Sequence, residues 1–477
     1  MAIPTTAVTR YDMNANAKTE GTYVMQSTGL NALSGVLKDI YLPAFNNTLY
    51  FDNKFTRLIE SSAAKLDATG RRIIGYFKTK RSTGVGAFEE GGSFVDATPV
   101  AGIQGWEWMK YQNMYLEFTG PALATVQGGQ GSYIDLVQEH VESLMESSRI
   151  NLERQLMGAG DGIVAKVYSQ PGTSGYSLTI KGAGFFDTQY LEPNQWLNFY
   201  AAPTAASTTS LTKRIYDTAL YDMQISALTT GNKRTSTQGT LTLGQAWTSN
   251  RTVDAGDWIV KKGAYGEIAE SGTVRCLEPN GLMNLVSDGA STTSDFYGTE
   301  ALENFKYIWN LDRTTAANSV LKSPYYAIND ELDEENLLSV LIEAENLYQC
   351  QPNVMIVSPR AILKYFQNNK ADRRFNTMQA MDWVGGYKGL GIQLGDRQLM
   401  LTSMPSVPTG NGFLINTADF AFVRPTGWSG YRWLTGTGGD ILTQKDNADS
   451  KFASAVDYFN FVCTNPGKQI KLGYITE

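Results

Sequence analysis

Polar and apolar positions alternate along Arg71–Lys80, RRIIGYFKTK, which predicts a β-strand. A second strand is predicted over Gln104–Phe118, QGWEWMKYQNMYLEF, where Trp106, Trp108 and Tyr111 favour the pleated surface. The glycine-rich span between them is too long for a tight turn. It contains TGVGAFEEGGS, Thr83 to Ser93. The pattern therefore predicts a long two-stranded arm with a flexible tip, and such an arm is marginal in water until it packs on something.

A helical period replaces the alternation after Ser132. Ile134, Val137, Val141, Leu144, Ser148, Leu152 and Leu156 form one stripe, with Glu142, Glu146, Arg149, Glu153 and Arg154 on the polar faces. Ser132 is the predicted N-cap, and Gly158-Ala-Gly160-Asp161-Gly162 ends the helix. Upstream, residues 1 to about 28 are polar and predict an extended segment. Leu33, Val36, Leu37 and Ile40 then share a helical face that Pro43 interrupts.

Short alternating runs follow Ile163: IVAKVYS, YSLTIKG, GTLTLGQAW and DWIVKKGAYG. They predict a β-rich module, a sandwich or small barrel, reaching to about Glu278. A helix start near Asn329-Asp330 with Asp333, Glu334 and Glu335 in its first turn, a buried-type strand at Asn353–Val357 and a Ser358-Pro359 helix start then predict an α/β layer. Gln398–Thr402 and Gly412–Asn416 read as later strands. Asp457–Cys463 and Lys468–Ile475 read as a terminal strand pair.

Composition narrows the functional classes. The net charge is −7 over 477 residues, which argues against a general nucleic-acid-binding face. Charged residues make up 18%, a low share for a soluble enzyme. Three dispersed cysteines give neither a disulfide framework nor a zinc spacing. No leader peptide and no membrane span are expected.

Chemistry is sparse. The single histidine, His140, falls mid-helix, so no triad or multi-histidine metal site is expected within one chain. Gly84-Val85-Gly86 opens no helix, which removes a dinucleotide reading. Two acids suffice for glycoside hydrolysis, and Glu89/Glu90, Glu107 with Glu117, or Asp254 with Asp257 are candidate pairs. Among 47 acids such pairs arise by chance, and solvated or salt-bridged carboxylates are the simpler account.

The order of these segments resembles the major capsid proteins of tailed bacteriophages, the Hong Kong 97-type fold. The hairpin at 71–120 looks like that family's extended E-loop, and 132–157 looks like its spine helix. MGAGDG (157–162), LEPNGL (277–282), NVMIVSPRAILKY (353–365) and FASAVDYFNFVC (452–463) resemble its later landmarks. The resemblance implies an α+β chain in six parts. These are an N-terminal arm (1–58), the hairpin loop (59–122), the spine helix (123–162), an inserted β-barrel or sandwich domain (163–278), an α/β axial domain with connector (279–448) and C-terminal strands (449–477).

The resemblance further implies a non-enzymatic, cofactor-free shell protein that self-assembles into pentamers and hexamers. The shell would be an icosahedral virion head, assembled in the host cytoplasm around double-stranded DNA without sequence-specific contact. Its partners would be other copies, a portal protein, and separate scaffolding and cement or decoration proteins, with no membrane. Some relatives join an E-loop lysine to a neighbour's asparagine. Lys78, Lys80 and Asn447 are at hand, but 452–463 holds Asp457 and no glutamate, so non-covalent assembly is expected. Expected contact residues are Phe88, Trp106 and Trp108 as apolar anchors, Arg71, Arg72, Lys80 and Arg81 as cations, and Glu89 and Glu90 as salt-bridge partners. The alternatives are a phage tail or decoration protein, or a β-rich glycan-binding or hydrolysing protein.

Overall fold

A computed structural model describes residues 55–56, 58–59, 66–68, 72–119, 130–169, 175–182, 190–200, 223–228, 239–247, 253–267, 274–289, 303–368, 380–383, 387–394, 397–428, 430–435, 443–446 and 448–477. The expected arm over 1–58 lies almost wholly outside these residues, as do Arg71 and Asn447. The chain divides into two compact units. Among the described residues, the first holds 111–150 and 430–458, and the second holds 55–110, 151–428 and 459–477.

Strand β1 (Arg72–Lys80) pairs antiparallel with β2 (Ala101–Trp108), as the alternation predicts. The single strand expected over Gln104–Phe118 is two strands. It breaks at Met109, whose side chain turns into the core, and β3 (Lys110–Thr119) continues beyond it. Strand β3 joins a different sheet from β2. Apolar side chains on both sides of Met109 hide the break from a period count.

Helix α1 spans Gln130–Met157, so Ser132 lies inside the first turn and is not the N-cap. In the first unit, Val141 and Met145 on α1 are buried, as are Met114 and Phe118 on β3. His140 stands edge-on to Phe118, with ring centroids 6.4 Å apart, as a packing residue. In the second unit, Leu152, Leu156 and Met157 enter the largest apolar core.

The β-rich stretch forms a closed antiparallel barrel of β4 (Ile163–Val167), β5 (Gly175–Gly182), β6 (Trp196–Tyr200), β7 (Met223–Leu228), β8 (Gly239–Trp247) and β9 (Trp258–Lys261). Its strand order is β9-β4-β5-β8-β7-β6, and β6 closes onto β9. Leu178, Ile180, Leu197, Phe199, Ile225, Leu241 and Ile259 are buried, in keeping with a six-stranded barrel filled by side chains.

The α/β layer is a seven-stranded mixed sheet. Its strands are β10 (Tyr325–Ala327), β11 (Val354–Val357), β12 (Ala380–Trp383), β13 (Tyr387–Leu394), β14 (Arg397–Ser403), β15 (Gly412–Ile415) and, after β16 (Phe420–Pro425) and β17 (Ser450–Cys463) of another sheet, β18 (Ile470–Gly473). They run in the order β10-β18-β15-β11-β14-β13-β12.

Two helices pack on this sheet. In α2 (Glu334–Tyr348), the Asp333 carboxylate caps the first turn, accepting from Asn336 N at 2.8 Å. In α3 (Pro359–Asn368), Ser358 Oγ accepts from Ala361 N at 3.1 Å. Alternation in β11 divides the core: Met355 and Val357 face α2 and α3, whereas Val354 and Ile356 join the larger core.

The C-terminal strands do not pair with each other. Strand β17 pairs with β16, and β18 sits between β10 and β15. The short 3-10 turn Pro466–Lys468 between them carries the chain from one sheet to the other.

Candidate assembly interface

The hairpin has one bolted face and one open face. On the inner face, Ile73, Phe77, Gly105 and Glu107 meet the turn at Trp309. Trp309 O accepts from Trp106 N at 3.0 Å, Trp309 N donates to Glu107 Oε1 at 2.8 Å, and Trp309 Nε1 donates to Cys463 O at 3.0 Å. A Cβ on Gly105 would stand 2.6 Å from Trp309 Cβ, so this approach requires glycine.

The outer face carries Arg72, Ile74, Tyr76, Lys78 and Lys80, all exposed. Their cross-strand partners include Trp108, Trp106 and Gln104. The Arg72 guanidinium lies 4.4 Å from the Trp106 ring centroid and 4.5 Å from that of Trp108, over a pair of indoles that meet edge-on with centroids 5.1 Å apart. Tyr76 covers Gly102, where an added Cβ would come within 2.3 Å of its ring.

Beyond the strands, every residue from Arg81 to Val100 is exposed. The two limbs are zipped by side chains. Thr83 Oγ1 and Thr98 Oγ1 share a 2.6 Å hydrogen bond, and Phe88 packs edge-on against Phe94 at 5.0 Å. The end is a turn in which Gly92 N donates to Glu89 O at 2.8 Å. Gly84 and Gly86 are close-approach positions: a Cβ there would lie 2.7 Å from Ala97 Cβ and 2.4 Å from Val95 Cγ2. At these two positions the absence of a side chain lets the limbs touch.

The interface candidates accordingly fall into separate groups. Trp106, Trp108 and Arg72 form one cluster on the outer face. Lys80 and Arg81 stand at the hairpin neck, and Phe88, Glu89 and Glu90 at the tip. Sequence reading missed Phe94 and Trp309. Phe94 mirrors Phe88 across the turn, a signal visible only once the turn is located. Trp309 adopts φ +54°, a conformation no residue pattern announces.

Two of the three candidate acid pairs are engaged structurally, while Glu89 and Glu90 stand exposed at the tip. Glu117 accepts from Lys445 Nζ at 2.9 Å, Ser450 Oγ at 2.9 Å and Tyr115 Oη at 2.8 Å. Lys445, then Tyr115 and Ser450, hold its carboxyl below the usual range. Asp257 Oδ2 accepts from Asp254 N at 2.7 Å, closing a turn. Glu107 supports Trp309. Among the described residues, no group of three or more His, Cys, Asp and Glu is arranged to hold a metal, and no helix is long and apolar enough to cross a membrane.

No protein-family model and no curated protein matches the sequence. Solved structures do. The chain is similar to the capsid asymmetric unit of cyanophage A-1(L) at 8% identity, covering 88% of this chain and 93% of that one with a TM-score of 0.44. It is similar to a structure from Mycobacterium phage Patience at 10% identity, over 94% and 91% of the two chains, TM-score 0.38. The capsid of a native GTA particle is similar at 6% identity, over 88% and 90%, TM-score 0.37. Along most of its length the chain is similar to proteins of solved phage capsids.

Proposed function

We propose that this chain is a major capsid protein that builds pentamers and hexamers of an icosahedral phage head around double-stranded DNA. The observation that carries this reading is the hairpin. Its base is bolted to the subunit through Trp309, while twenty successive residues, 81–100, expose Val85, Phe88, Phe94, Val95 and Val100 to solvent. A limb of this kind gains its packing from another copy.

In this account the hairpin serves as the E-loop and lies across a neighbouring subunit. Phe88 and Phe94 anchor the tip, and Trp106 and Trp108 present the Arg72 guanidinium. Lys80 and Arg81 meet acids such as the exposed Glu142 and Glu146 of the neighbour's α1, which serves as the spine helix. Glu89 and Glu90 pair with cations at the far end. The barrel is an insertion on the common core, and the seven-stranded sheet is the axial domain. Heterologous contacts of this sort close into rings. A portal, a separate scaffold and a decoration protein complete the assembly.

Negative-stain micrographs of the purified chain test the proposal. Closed shells of uniform size are expected. Rings or fibres without shells favour a tail role, and monomers at all concentrations sink the proposal.

A further inference from the structure

The joint between α1 and the barrel buries two acids, Asp161 and Glu278, beside the buried Arg154, with the half-buried Lys261 facing Arg154 and Glu278. Gly160 and Gly162 adopt φ +69° and +71°, and a Cβ on Gly162 would stand 2.6 Å from Ala264 Cβ. A side chain at Gly162 would not fit, and Asp161 between the two glycines points inward with 2% exposure. Asp161 Oδ1 accepts from Ile163 N at 3.2 Å. Its Oδ2 has no hydrogen-bond partner among the described residues.

The neighbouring acid, Glu278, is buried and ion-paired with the buried Arg154. Arg154 also donates to Asn151 Oδ1 at 3.0 Å and to Ile163 O at 3.4 Å. Glu278 Oε2 and Arg154 Nε likewise have no partner among the described residues. The other titratable groups around this site are Glu153 and Tyr190 near Arg154, Lys261 with Glu192, and Cys276 with Lys110. Lys110 Nζ is occupied by Cys276 O at 2.8 Å.

We propose that Asp161 is a proton switch: protonated, it keeps the α1-to-barrel turn closed, and ionised, it loosens that turn. One guanidinium committed to Glu278 cannot also neutralise a second buried carboxylate. An ionised Asp161 would be only partly compensated in this buried site, by the Ile163 N–H and by an Arg154 already shared with Glu278.

Burial pushes the Asp161 carboxyl up to about 7. Glu278 adds to that rise, while the Ile163 N–H and Arg154 oppose it. The folded state then binds more protons than the unfolded state between the ordinary value of 3.8 and about 7. Stability falls as pH rises through that window and levels off above it.

The test is urea unfolding of the full chain and of Asp161→Asn from acid to mildly alkaline pH. Asparagine mimics the protonated carboxyl. The difference between the two urea midpoints should be small in acid, with the wild type falling progressively below the variant until about pH 7. A difference that does not change with pH overturns the proposal. Infrared spectra of wild-type protein carrying isotope-labelled aspartate provide a readout that needs no variant. A protonated-carboxyl band that survives below neutrality and vanishes above it supports the switch. A band already lost well below neutrality refutes it.

Discussion

Asn460, on the last long strand, donates from Nδ2 to the carbonyl of Trp108 at 2.9 Å, at the point where the hairpin ends. Its Oδ1 accepts from Asn280 N at 3.1 Å and from Phe461 N at 2.9 Å. One buried amide thus ties the hairpin base, the LEPNGL segment and β17 together. Asn460→Ala leaves buried backbone groups unsatisfied, at about 1–3 kcal/mol each before relaxation. We expect it to lower unfolding stability by roughly 2–3 kcal/mol in urea titrations, whereas an exposed control such as Asn346→Ala should change little.

Gly105→Ala tests the bolted face. The new methyl would drive into Trp309, and overpacking of this kind costs roughly 1–3 kcal/mol. Reduced stability is the expected outcome, read by urea unfolding.

The outer face should respond to charge and geometry separately. Arg72→Lys keeps the charge but loses the planar guanidinium that contacts both indoles. Each exposed stack contributes about 0.5–1 kcal/mol, so the folding effect is small. Tryptophan emission should shift, and assembly should weaken. Lys80→Glu with Arg81→Glu should suppress assembly more strongly at low salt than at high salt, because exposed pairs are screened. Light scattering against ionic strength measures both.

Lys471 gives a second pH dependence, of the opposite sign to that of Asp161. It is buried, with Nζ 4.9 Å from the Phe305 ring centroid. Burial brings its pKa down to about 7, with Arg313 adding to the fall and Asp288 opposing it. The unfolded state then binds the extra proton between about 7 and 10.5, so stability rises with pH across that window. Lys471→Met should remove this rise and raise the urea midpoint at pH 6.

The legible parts were those with a clean period. Period 2 in 72–80 located β1, and the Ser358 cap located α3, whereas α2 starts at Glu334 behind an Asp333 cap, several residues after the expected start at Asn329-Asp330. Trp196–Tyr200 went unseen as a barrel strand because four of its five residues are buried, which erases the alternation. The break at Met109 and the separation of β17 from β18 depend on long-range partners, Asn460 among them, that no local window contains. For the interface, the candidate side chains were readable, but the Arg72 clamp and the Phe88–Phe94 pair needed the strand register. The Asp161 site needed three segments brought together from distant parts of the chain.

The central claim is that the hairpin tip is an intersubunit limb. Sedimentation velocity with electron microscopy on the wild-type chain and on a deletion of 84–92 tests it most directly. The wild type should form closed shells, and the deletion should remain folded, soluble and confined to small species. Shells from the deletion indistinguishable from those of the wild type would contradict the claim.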